Sequence, residues 1–127
     1  MKILPLGKDR VQVTYEVMGV VVGEGGEGLL HNASVRCLGA FHVVNGAFED
    51  ESTSCVYTRP DGDQIFQVSK ATGRMGVAAR GTFTLVGGTG KMTGITGGGE
   101  FTRTGVRSAA EGTAQSYARS KGTYKLP

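Results

Sequence analysis

Twenty-two of the 127 residues are glycine, and they follow no three-residue period. Glycine inside a helix costs about 1 kcal/mol relative to alanine, so this density excludes a helical bundle. A collagen-like rod needs glycine at every third place and is excluded as well. Scattered glycine suits a β domain, where it serves turns, bulges and sharp bends. Hydrophobic residues make up 39% of the chain, enough for one core at this length. A single domain over residues 1–127 is therefore expected. No apolar run approaches the roughly 18 residues of a membrane-spanning helix, so no membrane span is expected.

Period-two alternation places the strands. Val11–Val22 sets Val11, Val13, Tyr15 and Val17 on one face and Gln12, Thr14 and Glu16 on the other. Glu24–Gly28 is a loop. Ala33–Val44 alternates in the same way, with Val35, Cys37, Phe41 and Val43 on its apolar face. Further strands are expected over Phe48–Arg59, Gln64–Lys70, Arg80–Val86, Glu100–Val106, Ala109–Ala118 and Gly122–Leu126. The best helix candidate, around Arg107–Ala118, is weakened by Gly112 and Thr113. Short turns between seven or eight strands predict an all-β fold, a closed antiparallel barrel of about eight strands, because closure removes exposed edges. The more apolar strand faces make Tyr15, Val17, Val35, Phe41, Tyr57, Phe66, Phe83, Phe101 and Tyr124 the expected walls of its lumen. Tyrosine hydroxyls among them would meet a ligand carbonyl.

Asn45-Gly46 is the strongest hairpin signal in the chain. The two cysteines, Cys37 and Cys55, flank it. A two-residue loop in perfect register would put them on opposite faces, whereas one bulged residue brings them face to face. A bridge and two buried free thiols are both compatible with this spacing. Free thiols would indicate a cytoplasmic protein, and a Cys37–Cys55 bridge a secreted or periplasmic one. The N-terminal MKILPLGKDR has an apolar stretch shorter than a signal peptide needs, so export implies a leader already removed.

Charge is divided unevenly. Residues 1–69 hold five Lys/Arg against nine Asp/Glu, and residues 70–127 hold nine against two. The basic half raises nucleic acid as a partner, but its cations are spaced singly and not in runs, so nucleic acid is disfavoured. The plainer expectation is that the two halves neutralise each other in one fold.

The remaining motifs are structural. Val86–Gly99, VGGTGKMTGITGGG, lacks the spacing, the Ser/Thr after lysine and the following helix of a phosphate-binding loop. It reads as a sharp corner between strands. Asp61-Gly62-Asp63 lacks the later ligands of a calcium loop and reads as a turn. His31 and His42 stand in no nucleophile or metal pattern, so no metal is expected. Glu111 and Arg103 fall on late strands among small residues. They form a candidate catalytic pair inside a barrel, able to orient or protonate a ligand, against the plainer reading of a surface pair.

The stretch GTFTLVGGTGKMTGITGGGEF, followed by EGT and the terminal GTYKLP, resembles the second half of the allene oxide cyclase/dirigent barrel superfamily. The resemblance covers mainly residues 80–127 and more loosely 33–70. It implies an eight-stranded antiparallel barrel with an apolar cavity, often a homo-oligomer, acting on small hydrophobic molecules without a cofactor. No catalytic carboxylate of the plant enzymes aligns, so the implied chemistry stays general. Two functions are compatible with these features: a cofactor-free cyclase or isomerase that holds a flexible substrate in a reactive shape, and a non-catalytic carrier of a small ligand.

Overall fold

The computed structural model describes residues 1–127. The protein is all-β, one antiparallel sheet of eight strands in strict chain order. The strands are β1 (Lys2–Pro5), β2 (Arg10–Val20), β3 (Ser34–Val44), β4 (Ala47–Thr58), β5 (Gln64–Arg74), β6 (Ala78–Gly88), β7 (Thr96–Val106) and β8 (Gln115–Lys125). Helix is confined to two short 3-10 turns, Glu24–Gly26 and Gly90–Met92. The segments expected separately at Ala109–Ala118 and Gly122–Leu126 merge into β8. The short β1 carries no alternation long enough to signal it.

The sheet does not close. The expected barrel is corrected to an open, curled meander: β1 pairs only with β2 and β8 only with β7. The physical reason lies in the two edges. β1 has four residues against eleven in β8, and it ends at Pro5, which has no N–H to donate. Both edges also carry lysine, Lys2 on one and Lys121 and Lys125 on the other, so pairing them would bring like charges together.

Although open, the sheet curls strongly. One hydrophobic cluster joins Val13 of β2, Phe41 and Val43 of β3, Phe48 of β4 and Ala79 of β6. These strands could not share a cluster on a flat sheet. A second cluster packs Ile65 and Leu85 against Met92 and Ile95. The last two come from the glycine-rich segment, which therefore folds in as a plug for one end of the curl besides turning the chain between β6 and β7. Asp63 holds this plug by accepting the Lys91 backbone N–H at 3.1 Å.

The Asn45-Gly46 turn is a two-residue loop, with Val44 opposite Ala47 and positive φ at both turn residues (52° and 79°). Along β4 the register then slips by one residue. The ladder to β5 places the extra residue between Phe48 and Glu51, within the stretch from Ala47 to Ser52 that the ladder to β3 brackets. Beyond that bulge Cys37 stands directly opposite Cys55, and the two are bonded with their Cα atoms 4.1 Å apart.

Candidate functional site

Cross-strand partners share a face, so the ladders fix which side chains look into the curl. Tyr15 pairs with Gly39, Gly39 with Thr53, Thr53 with Ser69 and Ser69 with Phe83. Along β4 the inward positions run Phe48, Glu51, Thr53, Cys55 and Tyr57. Phe48 belongs to the first hydrophobic cluster and Tyr57 packs on the second. The polar positions lie between them.

There the Tyr15 hydroxyl donates to Glu51 Oε2 at 2.5 Å and lies 2.6 Å from Thr53 Oγ1. Arg103, from β7, donates through Nη2 to Glu51 Oε1 at 2.8 Å. Its guanidinium carbon also sits 6.0 Å from the centre of the Phe48 ring. Glu51 is 2% exposed and is the one charged residue of the core. An unpaired carboxylate at such depth would be costly, but both oxygens are occupied, and no buried side-chain polar atom lacks a partner.

Gly39 makes room for this arrangement. A Cβ there would collide with the Tyr15 hydroxyl and Thr53 Oγ1. Tyr15 stacks on Phe41 with ring centres 5.6 Å apart, and Phe41 on Phe48 at 4.6 Å. Burial pushes the Tyr15 phenol well above its ordinary pKa, and the hydrogen bond to Glu51 adds to the rise. Tyr15 is thus held as a neutral donor. Burial raises Tyr57 likewise.

Of the residues expected to form the walls, Tyr15, Val17, Val35, Phe41, Tyr57, Phe83, Phe101 and Tyr124 do share the inner face by register. Phe41 is buried within the first cluster, while Val17 and Tyr124 are exposed toward the open side. Phe66 turns the other way, as the partner of outward Val56. Arg103 is in the site, but its partner is Glu51 on β4. Glu111 lies exposed on the turn before β8, not on a strand, and makes no ion pair. Glu51 is missed by alternation because it sits in the acidic run Glu49-Asp50-Glu51, which reads as a solvated face. The bulge needed to bring Cys37 and Cys55 together is the signal that could have turned it inward.

The histidines take structural roles. His31 Nδ1 accepts the Gly23 backbone N–H at 3.0 Å, and His42 pairs with Asp50 at 2.6 Å on the outer face. Those hydrogen bonds from His42 hold the Asp50 carboxyl below the usual carboxylate range. Asp61 accepts the Asp63 backbone N–H at 3.0 Å, forming the expected turn. No helix is long and apolar enough to cross a membrane.

What the fold and site define is a curled antiparallel meander with a tyrosine–glutamate–arginine cluster inside it. No family model, curated protein or solved structure matches the chain.

Proposed function

We propose that the inner face binds a small, mainly apolar molecule carrying one oxygen, and that Tyr15 is its polar anchor. The observation behind this reading is a neutral phenol, backed by a buried carboxylate, on a face whose lining is mainly aliphatic, aromatic and glycine, with Thr53, Gln67 and Ser69 among its few other polar positions. In this reading Val35, Tyr57, Phe83 and Phe101 supply apolar walls, and the Tyr15 oxygen, whose one proton goes to Glu51, accepts a hydrogen bond from a ligand hydroxyl. When a proton passes from the ligand hydroxyl to Tyr15, the Tyr15 proton moves on to Glu51, which becomes neutral, and the Arg103 cation then balances the ligand oxyanion. This is the equipment of a cofactor-free isomerase or cyclase, the activity implied by the resemblance to the allene oxide cyclase/dirigent superfamily.

A carrier without catalysis is the second reading. It is favoured by the full pairing of the cluster, in which no base stands free. A screen of small ketones, enols and phenols, read by mass spectrometry of bound and converted species, separates the two. Conversion that is lost in Tyr15→Phe while binding persists identifies an enzyme. Binding without conversion identifies a carrier, and absence of binding by the folded protein overturns both.

Self-association belongs to the same proposal. Leu38 and Val68 are exposed on the outer face with Phe66 and Val56 on neighbouring positions, an apolar strip suited to a second copy. Light scattering on Leu38→Lys/Val68→Lys would show a smaller species than the native protein. The bridged Cys37–Cys55 pair supports an exported protein.

A further inference from the structure

The strands β5 to β8 carry an open groove of ≈ 690 Å³ on the face opposite the tyrosine cluster. Its floor follows a single cross-strand line, Ala71 to Gly81 to Phe101 to Ser120. The side chains of these residues belong to the inner face, so the groove is floored by backbone. Two outward rows form its banks. Lys70 and Lys121 stand at the two ends of one bank, with Thr82 and Glu100 between them. Arg80 and Arg119 stand on the other, with Thr102 between them, and Thr72 and the carboxylate Glu49 continue that bank beyond Arg80.

The four cations are unengaged. None of Lys70, Arg80, Arg119 and Lys121 forms an ion pair within the protein, although Glu100 stands directly opposite Lys121 in the ladder. All four are exposed. The charge asymmetry of the sequence explains their concentration. A meander keeps neighbours in sequence as neighbours in space, so the basic C-terminal half is not interleaved with the acidic N-terminal half. Instead of neutralising each other throughout, the halves leave one end of the sheet basic.

We infer that this groove binds an acidic oligosaccharide, a hydroxyl-rich chain with spaced carboxylate or sulfate groups, lying across the four strands. The span from β5 to β8 is three strand spacings, about 14 Å along the sheet, which suits a short oligosaccharide and not a lone anion. Lys70 and Lys121 at the ends of one bank, and Arg80 and Arg119 along the other, take the anionic substituents. Thr82 and Thr102 hydroxyls meet ring hydroxyls, and Glu100 accepts from them. Glu100 decides against nucleic acid. A carboxylate between the cations repels a phosphodiester backbone, which has no comparable density of hydroxyl donors to offer it. The groove also offers no stacking platform, because the Phe101 side chain belongs to the other face.

The test is calorimetric titration of the whole chain with hexagalacturonate and a heparin-derived hexasaccharide, which separate carboxylate from sulfate recognition. Maltohexaose and a short single-stranded DNA serve as comparisons. Binding of at least one acidic hexasaccharide, with neutral maltohexaose inert, is expected. Arg80→Ala/Arg119→Ala and Lys70→Ala/Lys121→Ala should each weaken it by about tenfold or more, and Glu100→Gln should weaken it too. Far-ultraviolet circular dichroism checks that these surface variants keep the fold. No binding of either acidic sugar, or binding indifferent to all three variants, would overturn the inference. So would DNA binding of equal strength that Glu100→Gln improves, since that behaviour belongs to a general polyanion surface. None of these outcomes touches the inner face, so failure here is distinguishable from failure of the proposed ligand site.

Discussion

Arg103 on β7 reaches Glu51 on β4 at 2.8 Å, although three strand spacings separate them along the sheet. On a flat sheet that is about 14 Å, beyond the span of the contact. The ion pair therefore measures the curl directly, and it joins residues that no backbone ladder connects. Removing Arg103 alone should leave a buried carboxylate without its cation. Arg103→Leu is expected to destabilise the protein by about 3 kcal/mol, measured by urea unfolding. The double variant Arg103→Leu/Glu51→Leu should recover much of that loss, because an apolar pair has no charge to desolvate.

Tyr15 gives a pH dependence of definite sign. Its phenol is raised above the ordinary value of about 10, so the folded state holds the proton more tightly than the unfolded chain. The stabilisation is complete below that pH and is lost as the pH rises beyond it. Melting temperature should fall above about pH 10, and Tyr15→Phe should flatten the fall. Tyr57, raised by burial, accounts for the part that remains.

Most of the strand order is legible in the sequence, and the candidate site is hidden there by one inserted residue. Alternation and turn chemistry place β2 through β7 because each buries one face, and one face fixes the period. Phe48 and Glu51 are three apart, and a regular strand would send them to opposite sides. The bulge between them turns both inward, so the same inserted residue aligns Cys37 with Cys55 and buries Glu51. Spacing around Asn45-Gly46 reveals the need for a bulge but not its place. Closure was not legible at all, since it depends on whether two edges meet, and no period in either edge records that.

Cys37 and Cys55 close a loop with a sequence separation of 18. Substituting both by alanine should cost about 3 kcal/mol through the freed entropy of the unfolded chain. Urea unfolding with and without reductant measures the same quantity in the native sequence.

Gly39→Ala tests the fit around Tyr15. The added methyl meets the phenol oxygen and Thr53 Oγ1, so the ring must move away from Glu51. A loss of about 1–3 kcal/mol is expected from overpacking. The late alkaline step of Tyr15 should move down with it, seen as earlier tyrosinate absorbance.

The open edge predicts a pattern in amide exchange. In β8 only the N–H groups facing β7 are bonded, so alternate amides from Gln115 to Lys125 should exchange quickly. Uniform protection along β8 would mean that the strand has a second neighbour.

The strict chain order of the strands also bears on how the molecule is made. Each ladder joins consecutive segments, so every hairpin can form as soon as its second strand has left the ribosome. The exceptions are the contacts across the curl, among them the Glu51–Arg103 pair, whose members are 52 residues apart, and the Tyr15–Glu51 bond. Loop closure over that distance comes after the hairpins between them. The tyrosine cluster is then assembled last, on a sheet already built, and it waits for β7, the strand that delivers Arg103.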